Sequence, residues 1–387
     1  MNRTANVIGL LVLAIFATRG ARAQQIGKYV PIPAGSDADH AMTEINAASD
    51  PAQKLALIDK FSSTLGQGDM AIVADDLYVN YYIAQKNYDK AFEYGDKLFA
   101  LDPDSFSNAV NMVRAASEKG DVDKLMAYGE KVPGILQRFK AEAAPSGTDA
   151  DNWERQKTTT LESNKDNITY IEQAIFLGVY RTQNPGKRAA LLVHFAELFP
   201  ASPYANQALG VAATSYQQAQ NVPKMLEMAN GVLAKDPNNI GMLLLLSDYY
   251  GENGEQLDKA EAWAKKAITL LGTAPKPEGV TDEQWQAQVS LQKGLALSSL
   301  GQVSIQKKDN AAAVENFKAA SGLLKPDEGS YGRNQYWLGF ALLNLKRNAE
   351  AKDAFTQSAS VNSAYKSLAQ AKLKSFVGAA GATKAKS

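Results

Sequence analysis

We predict that the chain is all-α and folds as an α-solenoid, a row of packed helix pairs. Apolar residues recur every three or four positions through most of the 387 residues, which is the spacing of amphipathic helices. Turn-forming residues interrupt this pattern at short intervals, as at Pro103 and Pro237. Small residues and one aromatic residue recur at fixed offsets in separate segments. Short helices with regular breaks and a shared internal spacing are typical of helical repeats.

The first 23 residues carry the features of a cleaved export signal. Arg3 lies in a basic start, residues 7–17 form an unbroken apolar run, and an A-x-A cleavage site ends at Ala23. The run is shorter than the roughly 20 residues that a membrane-spanning helix needs. We therefore expect cleavage after Ala23, a periplasmic or secreted location, and no membrane span in the mature chain. The absence of cysteine favours a bacterial envelope over a eukaryotic extracellular setting, where disulfides are common.

Three further parts of the sequence lack the repeat pattern. Pro31, Pro33 and Gly35 predict a linker before the first helix. An irregular insertion contains a loop and then a longer helix from about Asp151, and the Gly-, Ala- and Lys-rich C-terminus predicts a disordered basic tail. The chain is thus divided into a signal peptide (1–23), a linker (24–36), N-terminal repeats (37–139), an insertion (140–169), C-terminal repeats (170–376) and a tail (377–387).

Two segments near the C-terminus share one pattern. Each has a glycine, followed 12, 16 and 19 positions later by an alanine, a phenylalanine and a small residue. These are Gly301, Ala313, Phe317 and Ala320 in one segment, and Gly339, Ala351, Phe355 and Ser358 in the other. Helix axes approach closely only where the side chains at the crossing are small. We therefore expect Gly339 to face Ala351, with Phe355 filling the space beside that contact.

This spacing resembles the tetratricopeptide repeat, a family of 34-residue pairs of antiparallel helices. Ala91 and Ala260, and the prolines at 103 and 237, extend the resemblance to roughly residues 37–376. The resemblance implies a right-handed solenoid of about eight helix pairs. The positions expected to pack within and between repeats are Ala91, Ala260, Gly301, Ala313, Phe317, Gly339, Ala351 and Phe355.

Neither catalysis nor metal binding is indicated by the sequence. It contains no HExxH, GxSxG or GxxxxGK motif. With no Cys it cannot form a thiolate metal site, and the two isolated histidines, His40 and His194, argue against a multi-histidine site. Basic and acidic residues number 41 each, which argues against a nucleic-acid partner. We therefore expect no enzymatic activity, no catalytic residue, no cofactor and no metal.

In tetratricopeptide repeats the first helix of each pair lines a concave face, which usually holds a protein or peptide. The resemblance implies such a partner here. By helical phase, the side chains on that face would be Asn80, Arg114, Thr214, Gln217, Gln302, Tyr336 and Phe340. Relatives that clamp a C-terminal carboxylate use Lys and Asn on successive first helices. Asp76 stands where a basic residue would be needed, so that specificity is not expected.

The leading functional hypothesis is an exported, non-enzymatic scaffold or adaptor that binds protein partners in the bacterial envelope. An alternative is a helical-repeat enzyme or small-ligand receptor with a site near residues 140–169, which a docked, pocket-forming helix there would favour. A third hypothesis is a subunit that assembles through its convex face or its tail.

Overall fold

The computed structural model describes residues 25–277 and 279–384. Every regular element in these residues is an α-helix, which confirms the predicted all-helical class. The predicted signal peptide lies outside the described residues. The chain divides into two compact units, residues up to 208 (unit 1) and from 209 (unit 2). Among the described helices, none combines the length and the apolar character needed to cross a membrane.

Ten helices lie wholly within the described residues of unit 1, and an eleventh, α11, contains the unit boundary. The helices are α1 (Asp37–Ala47), α2 (Pro51–Leu65), α3 (Met70–Ala84), α4 (Tyr88–Leu101), α5 (Phe106–Lys119), α6 (Val122–Gly129), α7 (Lys131–Ala141), α8 (Ala150–Ser163), α9 (Lys165–Tyr180), α10 (Pro185–Leu198) and α11 (Ala205–Gln218). Most of them begin at a short polar residue whose side chain accepts from the backbone amide three positions later, as Asn87 and Ser105 do.

Unit 2 continues the same succession of helices. They are α12 (Val222–Lys235), α13 (Ile240–Asn253), α14 (Leu257–Thr273), α15 (Asp282–Gln306), α16 (Asn310–Leu324), α17 (Glu328–Asn344), α18 (Asn348–Ser360) and α19 (Lys366–Lys384). Thr281 and Gln284 form a capping box at the start of α15, since each side chain bonds the other's backbone amide. Helix α19 includes residues 377–384, which belong to the predicted tail. Alanine is the strongest helix former, and this segment is rich in it.

One turn geometry recurs between paired helices. A residue with positive φ is followed directly by the residue that precedes the second helix. The positive-φ residues are Lys86 (55°), Gly120 (75°), Gln220 (57°), Lys308 (64°) and Lys346 (60°). A left-handed backbone conformation is costly for residues other than glycine, so its recurrence at equivalent turns indicates a common repeat geometry.

Packing around the two repeat glycines differs from the expected contact. A Cβ atom added to Gly339 would lie 2.9 Å from ring atoms of Phe355, and its three nearest neighbours would all belong to that ring. A Cβ atom added to Gly301 would likewise lie 2.6 Å from the Phe317 ring. The phenylalanine ring, and not Ala351, is therefore the nearest neighbour of Gly339. A flat ring can lie directly on a helix backbone only where no side chain intervenes.

The other predicted packing residues are buried. Ala91, Ala260, Ala313 and Ala351 have no exposed surface, and neither do the two phenylalanines. Around Phe355, this core continues from α16 through α17 and α18 to Ala369 of α19. Burial of these alanines allows the neighbouring helices to approach each other closely.

The predicted linker is anchored to unit 1 near its start. Ile26 is 3% exposed, and its carbonyl accepts from the amide of Phe106 at 3.2 Å. The amide of Lys28 donates to Asp102 Oδ2 at 2.8 Å. Gly27 lies between them with φ 110°, where a Cβ would come within 2.7 Å of the same carboxylate oxygen. Close approach of this segment to the α4–α5 turn therefore requires glycine.

The insertion (140–169) contains the last two residues of α7, the whole loop at 142–149, helix α8 and the start of α9. Helix α8 begins at Ala150, close to the expected position. Its Lys157 is buried and donates to the carbonyls of Lys140 and Glu142, at 2.8 and 3.0 Å. The Trp153 indole also donates to Glu142 O, at 3.0 Å. These bonds satisfy free carbonyls at the end of α7 and fix α8 against it.

Candidate functional site

Helices α3, α5 and α9 of unit 1 pack side by side, α3 against α5 and α5 against α9. Their outward side chains form one continuous surface, which we call the unit 1 face. It consists of Asp76 and Asn80 on α3, Asn111 and Arg114 on α5, and Tyr170, Gln173, Leu177 and Tyr180 on α9. The α9 residues recur at intervals of three and four, which places them on one side of that helix.

The α3 part of the unit 1 face is a small polar network. Asn80 Nδ2 donates to Asp76 Oδ2 at 3.0 Å and to the Asp76 carbonyl at 2.8 Å. Asn111 Nδ2 reaches Asn80 Oδ1 from α5 at 3.4 Å. Burial raises the pKa of Asp76 to about 6, and the Asn80 hydrogen bond only partly opposes this. Among the described residues, no cationic group pairs with Asp76.

The α5 and α9 parts of the face carry a cation and large apolar groups. The Arg114 guanidinium lies 5.9 Å from the centre of the Tyr170 ring, and no described carboxylate forms an ion pair with it. Burial raises the pKa of Tyr170, and the guanidinium partly offsets that effect. Leu177 is 38% exposed and Tyr180 52% exposed. Adjacent exposed apolar side chains of this size are typical of interaction surfaces.

In unit 2, helices α13, α15 and α17 also pack side by side. Here a charged cluster, the Arg333 cluster, joins them; it comprises Asp248, Glu252, Gln302, Arg333 and Tyr365. Arg333 Nη1 donates to both Asp248 oxygens at 2.8 and 2.9 Å, and Nη2 donates to Glu252 Oε2 at 3.0 Å. The Tyr365 hydroxyl donates to Glu252 Oε1 at 3.1 Å. The cluster therefore links α17 and the segment before α19 to α13.

Arg333 is held by more than its carboxylates. With the Gln302 amide turned so that both groups are satisfied, its oxygen accepts from Arg333 Nη2 at 2.7 Å and from Nε at 3.2 Å. The Arg333 side chain is 20% exposed. Burial lowers the pKa of its guanidinium, but Asp248 and Glu252 more than offset this, so the pKa lies above its usual value. The guanidinium is therefore charged at every pH at which the protein is folded.

The structure separates the predicted partner-binding residues into three groups. Asn80 and Arg114 lie together on the unit 1 face. Gln302 is 3% exposed and bonded to Arg333, so it is not available to a partner, and Tyr336 packs 5.2 Å from the cluster's Tyr365. In the third group, Thr214 bonds to its own helix, Gln217 is exposed on α11, and Phe340 packs 5.6 Å from Trp337.

Sequence reasoning missed most of both sites. Arg333 is 85 residues from Asp248 and 81 from Glu252, so no local motif contains the cluster. The only local signal was two carboxylates four residues apart on α13, a spacing that also occurs on ordinary exposed helices. On α9, the exposed Tyr170, Leu177 and Tyr180 share the sequence with a buried apolar stripe. Apolar spacing alone does not tell the exposed residues from the buried ones.

A cavity of about 400 Å³ lies at the edge of the insertion. Its lining residues are Ile26, Gly27, Lys28, Asp102, Asp104, Arg138, Phe139, Ala141 and Glu142. Arg138 Nε bonds Asp104 Oδ1 at 2.6 Å. None of the lining residues comes from α8. This cavity is therefore not a ligand pocket formed by the docked α8 helix. Within the described residues, no group of His, Asp and Glu side chains could hold a metal ion.

One segment of the chain matches a known protein family. Residues 332–365, which contain most of α17 and all of α18, match the family model of the tetratricopeptide repeat. Comparison with curated protein sequences gives no match.

Solved structures that align with this chain share little sequence with it. They include the APC/C hetero-tetramer Cut9–Hcn1 (12% identity, TM-score 0.41, 88% of this chain and 63% of that one). Others are the P58(IPK) TPR domain (13%, 0.29, 89% and 99%) and yeast Tom70 (13%, 0.36, 94% and 68%). The match thus spans less than two thirds of the Cut9–Hcn1 chain.

Proposed function

We propose that this tetratricopeptide-repeat protein is a non-enzymatic scaffold that binds a segment of a partner protein on the unit 1 face. The observation that supports this is the content of that face. A guanidinium without a carboxylate partner, an exposed amide and two exposed apolar side chains lie on neighbouring helices. A solvated surface has no need of this combination, whereas a protein interface uses it.

The chemistry of the unit 1 face suits a short stretch of chain. Leu177 and Tyr180 offer apolar surface about one helical turn apart, where a partner's apolar side chain would be desolvated. Asn80 and Asn111 offer amide groups that match backbone donors and acceptors. A buried aromatic anchor at an interface typically contributes about 2 kcal/mol or more to binding. Tyr180 as one such anchor, with the apolar surface of Leu177 and flanking hydrogen bonds, is enough for reversible recognition.

The N-terminal sequence supports a place for this function in the bacterial envelope, periplasmic or secreted. The basic start, the short apolar run and the A-x-A site ending at Ala23 are the basis of this part of the proposal. We expect the exported chain to begin at Gln24. The intact mass of the protein recovered from the envelope fraction tests this, and a chain that still starts at Met1 would contradict it.

Affinity capture from the native envelope fraction tests the binding face. The double variant Leu177→Ala, Tyr180→Ala should lower recovery of specific partners about tenfold or more, because both exposed apolar groups are lost. The matched control is Leu345→Ala, Leu368→Ala, which removes two exposed apolar side chains of unit 2. Equal recovery by the unit 1 double variant and the unaltered protein would overturn the proposal.

A further inference from the structure

Asp76 is a carboxylate placed in the unit 1 face without charge compensation. One of its oxygens accepts from Asn80, and the other has no hydrogen bond from the described residues. That second oxygen is not among the buried unsatisfied atoms, so it is open to solvent. Neighbouring protein atoms displace much of the water around the carboxylate, which raises its pKa. A cation at the open oxygen would relieve this.

Unit 2 shows how the same fold compensates such a carboxylate. Asp248 also lies on a helix of a side-by-side row. Both of its carboxylate oxygens accept a hydrogen bond from Arg333. Elsewhere in unit 1, Asp104 is paired with Arg138. Arg114 is the cation of the unit 1 face, and it lies against the Tyr170 ring of α9 and forms no ion pair with Asp76. Among residues 25–277 and 279–384, Arg333 supplies a guanidinium to Asp248, and no guanidinium reaches Asp76.

We propose that the partner segment carries a lysine or arginine side chain that pairs with Asp76. This inference rests on the proposed function, since it names the chemistry of the segment held by the unit 1 face. Asn80 positions the carboxylate by donating to Oδ2, which leaves Oδ1 for the incoming cation. Asn111 in turn holds Asn80, so the acceptor is fixed before the partner arrives. The polarity is opposite to that of a site that clamps a carboxylate.

Titration with two defined peptides tests the inference. The probes are twelve-residue peptides of alternating Ala and Lys, and of alternating Ala and Glu. We expect the Lys peptide to bind about tenfold more tightly than the Glu peptide. Asp76→Asn should remove most of this preference, because the amide cannot pair with a cation. The matched control, Asp353→Asn, removes one exposed carboxylate from unit 2 and should leave the preference intact.

Two outcomes would overturn the inference: no detectable binding of the Lys peptide, or equal Lys-peptide affinity of the Asp76→Asn variant and the unaltered protein. Partner capture separates this failure from failure of the proposed function. If Leu177→Ala, Tyr180→Ala abolishes capture while Asp76→Asn does not, the unit 1 face is the binding surface, but the partner does not pair a basic residue with Asp76. If neither variant changes capture, both fall. Thermal unfolding of Asp76→Asn, expected at or above the original temperature, confirms that the variant is folded.

Discussion

The two units use one repeat geometry for different purposes. In unit 2, Arg333 of α17 bonds Asp248 and Glu252 of α13, past the intervening α15. The charged groups on the surface of that helix row are therefore paired with each other. In unit 1, the described part of the corresponding row gives Asp76 and Arg114 no ion-pair partner and leaves Tyr180 exposed. Repeats in a solenoid normally contact only their nearest neighbours, so the bond from α17 to α13 is an addition to the basic design. The same repeat scaffold can thus pair the charged groups of one helix row internally and leave those of another row open to a partner protein.

Replacing Arg333 of the Arg333 cluster and Arg114 of the unit 1 face, one at a time, should give the largest difference in stability. Arg333→Met should lower the free energy of unfolding of unit 2 by about 3 kcal/mol, because the partly buried Asp248 loses its cation. The matched variant Arg114→Met removes an exposed guanidinium and should change stability by less than about 0.5 kcal/mol. Hydrogen exchange resolved by unit measures both effects. Similar losses in the two variants would show that unit 2 is not specially closed.

The repeat glycines give the next largest effect. Gly339→Ala should destabilise unit 2 by about 2 kcal/mol, since the added Cβ would overlap the Phe355 ring. Gly231→Ala in α12 is the matched control, because a Cβ there meets nothing within 4 Å. That variant should gain about 0.5–1 kcal/mol from the higher helix propensity of alanine. Denaturant unfolding of both variants measures the difference, and an unchanged Gly339→Ala midpoint would refute the ring-on-backbone contact.

The smallest expected effect is the pH dependence of unit 1. The pKa of Asp76 is raised from 3.8 to about 6 on folding, so the folded state binds this proton more tightly than the unfolded state does. Its ionisation therefore costs stability as pH rises from about 4 to 6, by about 1 kcal/mol after allowance for solvent screening. Asp76→Asn should remove this component, whereas Asp353→Asn should not. Parallel pH-dependent curves for Asp76→Asn and the unaltered protein would contradict this.

Other groups near Asp76 shape the background against which this component is measured. They include Asp75 on the same helix, which interacts with Lys97 of α4. Burial also raises the pKa of Asp75, and Lys97 opposes that shift. The difference between the Asp76→Asn and unaltered curves isolates the component of Asp76, because the other groups are common to both.

The sequence predicted what depends on local spacing. The all-helical class follows from apolar periodicity, and the buried positions of Gly301 and Gly339 follow from their shared offsets. The same offsets did not distinguish a glycine facing alanine from a glycine beneath a phenylalanine ring, because both residues lie on the facing helix. That choice depends on the helix crossing and on side-chain rotamers, which spacing alone does not specify.

Features formed by distant residues could not be predicted in this way. The contact of Ile26 with the α4–α5 turn joins residues 80 positions apart, and composition marked the segment only as a linker. Arg333 likewise gains its partners from a helix two repeats earlier. On the unit 1 face, Asn80 and Arg114 were predicted from helical phase, whereas the α9 residues follow the irregular insertion, where the phase of the repeat is lost.

Hydrogen exchange of the protein with a captured partner, compared with the protein alone, tests the central claim most directly. We predict slower exchange in α3, α5 and α9, and no change in α13, α15 and α17, whose row is occupied by the Arg333 cluster. Protection confined to α13, α15 and α17, with α3, α5 and α9 unchanged, would contradict the assignment of the unit 1 face as the binding surface.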